Sequence, residues 1–278
     1  MKTTGVLASV CLIVVPMMAQ GIVWRNDIPE STVLSFGNSS RLQGVGRIAT
    51  GGTGTFLGIG SGGQAWGISA KHVITSGQTS TFNFEDGGSY SITQTIGFAG
   101  VDISIFKIAG WNRNVFTPTL KMDGIFTLGT EFDSAGYGGH GAEGSDPSFN
   151  WSFDNKRRGM QTRLHNVQDN FVFAGEAQKM LIDRFDSPAS GQARAVEGFG
   201  APGDSGSMLL DNSGQIWGVL SGGQLEQYGN LNWYAAITPD IANQIYSLTG
   251  IEAVPEPGTM ALVGFGVAAL ARRRMKRS

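Results

Sequence analysis

Along most of this chain hydrophobic and polar residues alternate in short runs, and the runs are bounded by Gly, Asn, Asp and Ser. Period-two alternation between turn residues is the mark of a half-buried strand, because successive side chains of a strand point to opposite faces. Gly54 to Gly60 and Gln64 to Ala70 predict two such strands. Thr81 to Glu85 and Tyr90 to Phe98 predict a hairpin about Asp86-Gly87-Gly88, and Ile103 to Ala109 a strand that buries Ile103, Ile105 and Ile108. A second set starts near Ile125 and includes Asn170 to Ala174, Lys179 to Phe185, Ser207 to Leu210 and Gln215 to Leu220, the last two joined by the turn Asn212-Ser213-Gly214. Gly110 to Lys121 lies between the sets as their crossover. One helix is predicted near the C-terminus: Thr238 caps it, Pro239 suits its first turn, and Ile241, Ile245 and Leu248 give it an apolar face.

Composition supports many short strands and excludes long helices, since 42 of the 278 residues are glycine and show no collagen-like period. That length holds one large all-β unit or two small barrels sharing a cleft. At the N-terminus Lys2 precedes an apolar run from Gly5 to Ala19 and then small residues, which is the form of a secretory signal peptide over residues 1–21. The only cysteine, Cys11, lies inside that run, so the exported chain relies on its core and has no disulfide. At the other end Val254-Pro255-Glu256-Pro257-Gly258 precedes an apolar segment, 259–271, and the basic run Arg272-Arg273-Arg274-Met275-Lys276-Arg277.

This tail, 251–278, resembles the PEP-CTERM sorting signal of Gram-negative bacteria. The resemblance implies processing by an exosortase-like enzyme and a place in the cell envelope or extracellular matrix, with the membrane met only through the tail's transmembrane segment. A permanent anchor is the rival reading, but 259–271 is shorter than the roughly 20 residues a spanning helix needs. The formal net charge is −2, and removing Lys2 and the five basic residues beyond Gly258 takes it to −8. Such a surface argues against nucleic acid or anionic lipid as partner.

Three segments carry the chemistry. Ser69-Ala70-Lys71-His72-Val73 holds a histidine, Val101-Asp102-Ile103-Ser104-Ile105 an aspartate at a strand start, and Gly200-Ala201-Pro202-Gly203-Asp204-Ser205-Gly206-Ser207 a glycine-flanked serine. A serine hydroxyl is a weak nucleophile at neutral pH; it needs a base to take its proton and a buried carboxylate to orient that base. The chain order His, Asp, Ser excludes an α/β-hydrolase, whose histidine follows the nucleophile, because His72, His140 and His165 all precede Ser205. A subtilisin-like order needs a carboxylate before His72, where the only aspartate is Asp27 in the polar stretch Arg25-Asn26-Asp27.

Ala70-Lys71-His72, Asp102-Ile103-Ser104-Ile105-Phe106-Lys107 and Gly203-Asp204-Ser205-Gly206 resemble the three signature blocks of the trypsin/chymotrypsin family. Ser134-Ala135-Gly136-Tyr137-Gly138 and Trp217-Gly218-Val219-Leu220-Ser221-Gly222-Gly223 are similar to two further strands of that family, whereas Ser207 and Met208 depart from its usual glycine and proline. The match runs from about Ile22 to Gly250. It implies two Greek-key six-stranded β-barrels, about 22–112 and about 120–250, with the active site in the cleft between them and no cofactor or metal. It implies His72 as general base, Asp102 as its orienting acid, Ser205 as nucleophile, and the Gly203 and Ser205 amides as the oxyanion hole. Asp86 and Asp133 are the competing aspartates.

By the same resemblance Phe199, six residues before Ser205, forms the floor of the primary pocket, with Ser221 and Gly223 along its wall, and favours small or medium apolar side chains. An N-terminal Ile22, exposed by cleavage after Gly21, would pair its ammonium with Asp204. The expected activity is endopeptidase cleavage of a protein or peptide substrate. The alternatives are a catalytically idle matrix or binding protein of the same fold and an ester hydrolase using the same triad. His140 and His165 are expected to be solvated or structural, and Lys156-Arg157-Arg158 a solvated loop.

Overall fold

A computed structural model describes residues 22–144 and 154–251. The expected leader, 1–21, and the tail from residue 252 onward, with its apolar segment 259–271, lie outside them. Among the described residues no helix is long and apolar enough to cross a membrane, so a transmembrane segment finds no support there.

The chain opens with β1 (Val23–Trp24) and α1 (Glu30–Gly37). Then β2 (Val45–Ile48), β3 (Gly52–Ile59), β4 (Ala65–Ser69), β5 (Ser80–Asn83), β6 (Ser89–Gly97) and β7 (Ser104–Ile108) close into a barrel in the order β2-β3-β4-β7-β6-β5. After β8 (Thr119–Leu120) come β9 (Glu131–Gly136), β10 (Gly141–Ala142), β11 (Arg158–Phe173), β12 (Glu176–Arg184), β13 (Gly198–Phe199), β14 (Met208–Asp211), β15 (Gln215–Gly223), β16 (Leu231–Ala236) and α2 (Pro239–Thr249). Six of these form a second circuit, β14-β9-β11-β12-β16-β15, which the β14–β15 pairing closes and to which β8 adds in parallel on β15. Numbered within itself, each circuit has its third strand beside its sixth rather than its fourth, so one Greek-key order occurs twice. β1 lies between β10 and β13 and ties the start of the described chain to the second half.

Each barrel buries one face of its alternating strands. Ile48, Phe56, Phe82, Phe106 and Ile108 fill the first, and Phe132, Leu164, Leu181, Trp217 and Tyr234 lie in the second. The largest apolar cluster crosses between them, joining Leu57, Ile68, Ile103 and Ile105 to Met180, Met208 and Val219, so the cleft is bounded by packed walls. α2 closes this cluster. The Thr238 hydroxyl accepts from Ile241 N at 3.4 Å, and Ile241, Ala242, Ile245 and Thr249 are buried. Leu248, expected on that face, is 47% exposed. The buried stripe runs from Ile245 to Thr249 instead, where the threonine hydroxyl is satisfied by donating to Ile245 O at 2.7 Å.

A second expectation is overturned at Arg157 and Arg158, whereas Lys156 beside them is exposed. Arg157 and Arg158 are 5% and 2% exposed rather than solvated. The Arg157 guanidinium donates to Gly37 O at 2.7 Å, Asn38 Oδ1 at 2.8 Å and Val45 O at 3.2 Å. Arg158, the first residue of β11, forks between Glu30 of α1 and Asp154. Full pairing is what allows a guanidinium into the interior.

Candidate active site

The three chemical segments meet where the barrels face each other. β4 ends at Ser69, and one turn, closed by Val73 N to Ala70 O at 3.1 Å, carries His72. Asp102 precedes β7, held between the buried Val101 and Ile103, and is itself fully buried. Its Oδ1 accepts from His72 N at 2.9 Å and its Oδ2 lies 2.7 Å from His72 Nδ1. Both carboxylate oxygens therefore serve the same histidine: one fixes its backbone, the other its ring, directing Nε2 away from the acid. Asp86 and Asp133 are engaged elsewhere, with Arg113 and Arg41.

Ser205 sits on a loop of tight turns. Asp204 N donates to Ala201 O at 2.9 Å, Ser207 N to Asp204 O at 2.8 Å, and Gly206 N to Leu220 O at 2.8 Å. Gly206 adopts φ +94, and a Cβ there would stand 2.0 Å from Thr53 O, so the turn requires glycine. Thr53 of β3 docks this loop on the first barrel. Its N donates to Ser205 O at 2.8 Å and its hydroxyl to Gly203 O at 3.0 Å, while accepting from Tyr137 N at 3.3 Å. A Cβ on Gly52 next to it would meet Val73 at 2.5 Å and Ser205 O at 3.0 Å, so the Ser205 loop and the His72 turn close in on the same point of β3. Among the described residues no hydrogen bond joins His72 to Ser205, a contact that commonly tightens only around substrate. The Gly203 and Ser205 amides donate to no group among the described residues, which leaves both donors for an incoming oxygen.

Asp204 is buried against the second barrel and accepts from Gly138 N and Ala201 N, both at 3.1 Å. Burial pushes its carboxyl up to about 7, against the pull of those amides. Gly136 is a glycine because a Cβ there would lie 1.8 Å from Asp204 Oδ1. Ile22 packs in the second barrel's core, and in this chain, where it is an internal residue, no bond among the described residues joins it to Asp204. Phe199 is fully buried, stacked on Phe185 at 5.7 Å, and its ring reaches 3.3 Å from where a Gly223 Cβ would be. Ser221 is buried with an unpartnered hydroxyl, and the Asn232 amide, in the flipped orientation that satisfies both its ends, donates to Gly200 O and accepts from Gly200 N at 3.0 Å each, bracing the strand that carries Phe199.

His165 is exposed on β11. His140 is gathered with Glu30 and Asp154, ligand atoms within 4.8 Å of one another, a grouping that the spacing of the chain does not reveal. The Arg158 guanidinium already pairs with both carboxylates. Burial first, and then Arg158, lower the His140 imidazole, so the cluster is organised around an arginine. Thr53 was not singled out from the sequence: a threonine between two glycines has no signal of its own, and its partners are far along the chain.

Comparison of the sequence with curated proteins gives no match. A model of the PEP-CTERM protein-sorting motif matches residues 253–277. Solved structures are similar in fold. Neuropsin, a serine protease expressed in the limbic system of mouse brain, superposes with TM-score 0.53 at 15% identity, over 81% of this chain and 98% of that one. An inactive form of a serine-to-alanine mutant of Rv3671c from M. tuberculosis H37Rv gives 0.52 at 15%, over 82% and 97%. The inactive form of the Rv3671c protease gives 0.51 at 14%, over 83% and 98%. The chain thus has the two-barrel fold of trypsin-like serine proteases and ends in the PEP-CTERM sorting motif of exported Gram-negative bacterial proteins.

Proposed function

We propose that this chain is a serine endopeptidase of the cell envelope or extracellular space, using His72, Asp102 and Ser205. The observation that carries the reading is the buried Asp102 carboxylate, 2.7 Å from His72 Nδ1, beside a nucleophile loop with two free amides. His72 Nε2 takes the Ser205 proton as Oγ attacks the substrate carbonyl, and returns it to the leaving amine. Asp102 holds the Nδ1–H tautomer and stabilises the imidazolium. The Gly203 and Ser205 amides receive the oxyanion, where the loss of one donor typically costs about 3 kcal/mol of transition-state stabilisation. Water then hydrolyses the acyl-enzyme.

The filled, apolar floor at Phe199 supports small or medium apolar side chains at the cleaved bond, since nothing there compensates a buried cation. The leader, 1–21, is removed on export, and the tail is the substrate of an exosortase-like enzyme. Cleavage before Ile22 supplies an ammonium to Asp204. Labelling of the purified protein by a fluorophosphonate at Ser205, with peptide hydrolysis lost in Ser205→Ala, is the decisive experiment. The rival reading, an idle binding protein of this fold, leaves Ser205 unlabelled.

A further inference from the structure

We infer that Gln178, on the β11–β12 hairpin, is a positioning residue that holds the triad's acid and base from the opposite barrel. This deepens the protease reading above and rests on it. The hairpin pairs Phe171 with Gln178 and Phe173 with Glu176, and it projects far enough from the second barrel for Val172 to be 70% exposed at its end. Its inner side reaches back onto the first barrel at three points. The Gln178 side chain, 5% exposed, accepts from Asp102 N at 2.8 Å through Oε1 and donates from Nε2 to Phe173 O at 3.4 Å. The Phe173 ring meets the His72 ring edge-on, centroids 5.7 Å apart. Glu176 pairs with Lys71, the residue before His72, at 2.6 Å, and Lys71 also donates to Phe98 O at 2.8 Å.

One amide side chain thereby closes a circuit: Asp102 backbone, Gln178, Phe173 backbone, Phe173 ring, His72 ring, Asp102 carboxylate. Asp102 has spent both carboxylate oxygens on His72, so its position is set through its backbone. The amide that Gln178 accepts is the one that a shift of this loop would strand unpaired in the interior. Because Ser205 also belongs to the second half, the hairpin fixes base and acid relative to the nucleophile's own barrel. The charged groups around the imidazole are Asp102 on its own loop and the Lys71–Glu176 pair; Gln178→Met leaves both unaltered, whereas Gln178→Glu adds a carboxylate beside Asp102 once it ionises.

The test compares purified wild type, Gln178→Met and Gln178→Glu. Methionine keeps the volume and removes both hydrogen bonds, and a misplacement of about 1 Å costs about 10²-fold in rate. Gln178→Met is therefore expected to lose about 10²-fold in kcat and in fluorophosphonate labelling at Ser205, with KM for a small ester within about twofold and the acid limb of kcat/KM displaced. A protonated glutamate supplies the acceptor for Asp102 N and the donor for Phe173 O, whereas an ionised one loses the donor. Gln178→Glu is expected to approach wild type at low pH and fall away from it as pH rises. Gln178→Met with wild-type kcat, labelling rate and acid limb, changed only in Tm, overturns the proposal. If wild type itself does not label, the protease reading fails, and the positioning role is still read from the proton resonance of His72 Nδ1–H. That resonance should weaken through faster exchange in Gln178→Met, and an unchanged one refutes it.

Discussion

Thr53→Val tests how the nucleophile loop is fastened to the first barrel. The change replaces a hydroxyl by a methyl at almost constant volume and keeps the β-branched shape, so packing on β3 is preserved and only polar contacts are lost. Two are lost: donation to Gly203 O at 3.0 Å and acceptance from Tyr137 N at 3.3 Å, both buried. Each stranded backbone group costs about 1–3 kcal/mol, and the longer contact belongs near the lower end, so the expected loss is about 2–4 kcal/mol. Thr55, two residues along the same strand, is the control. Its hydroxyl is buried and has no partner, so Thr55→Val should be neutral or stabilising. Urea unfolding of both variants gives the free energies from midpoints at constant slope. Labelling of Ser205 reads the second consequence, since a released Gly203 carbonyl lets the loop turn. A cost below about 0.5 kcal/mol for Thr53→Val, or equal costs for the two, would refute the reasoning.

Further outcomes follow from the same geometry. Asp102→Asn should retain the fold and lower kcat by about 10⁴-fold, because an amide presents the wrong group to Nδ1; retained turnover would remove Asp102 from the triad. Gly206→Ala should cost at least about 2 kcal/mol and abolish labelling, as φ +94 and the contact with Thr53 O both oppose a Cβ. Burial pushes Asp183 and Asp204 up to about 7 and Glu197 up to about 8. These groups keep protons in the folded chain that the unfolded chain has released, so their contribution is complete below about pH 4 and lost as pH rises to about 8. Arg113 beside Asp86 and Arg158 beside Asp154 hold those carboxyls at about 2, so stability should fall below pH 4 as well. A Tm maximum near pH 4–5 is expected, and a Tm that climbs steadily from pH 5 to 8 would contradict it. A chain beginning at Ile22 should show a smaller decline if its ammonium reaches Asp204.

The alternating runs between turn residues placed β3, β4 and β6 within two residues of their ends and β15 at its start but three residues short of its end, although β3, β4 and most of β15 are buried on both faces. They failed where a strand leaves the barrel. β11 runs from Arg158 to Phe173, but beyond Leu164 most of its residues are exposed or half-buried, and register shifts interrupt the pairing with β12. Only its far end carries an apolar run, which is why Asn170 to Ala174 alone reads as strand. α1 escaped for a related reason: it buries only Val33 and Gly37 and has no stripe to detect. The residues proposed for the triad could be singled out because they stand in short blocks of distinctive composition, and the folded chain brings His72 and Asp102 within 2.7 Å. Thr53, Gln178 and Phe173 act through contacts made only by the folded chain, as do Arg157 and Arg158, whose partners Gly37 and Glu30 lie on another element.

The repeated strand order has a kinetic side. In each circuit the third strand must find the sixth, and in the second this means β12 meeting β16, with Met180 opposite Ala235. Closure also waits for β14 to reach β9, joining Leu210 to Asp133. Pairings so distant along the chain close large loops before they gain contacts, and folding governed by them is slow. For a chain that ends in the sorting motif of exported proteins, slow closure keeps the polypeptide extended for longer before its two circuits lock. Until β14 and β15 meet, Gly206 has no Leu220 carbonyl to bind, so the loop that carries Ser205 is completed only when the second circuit is.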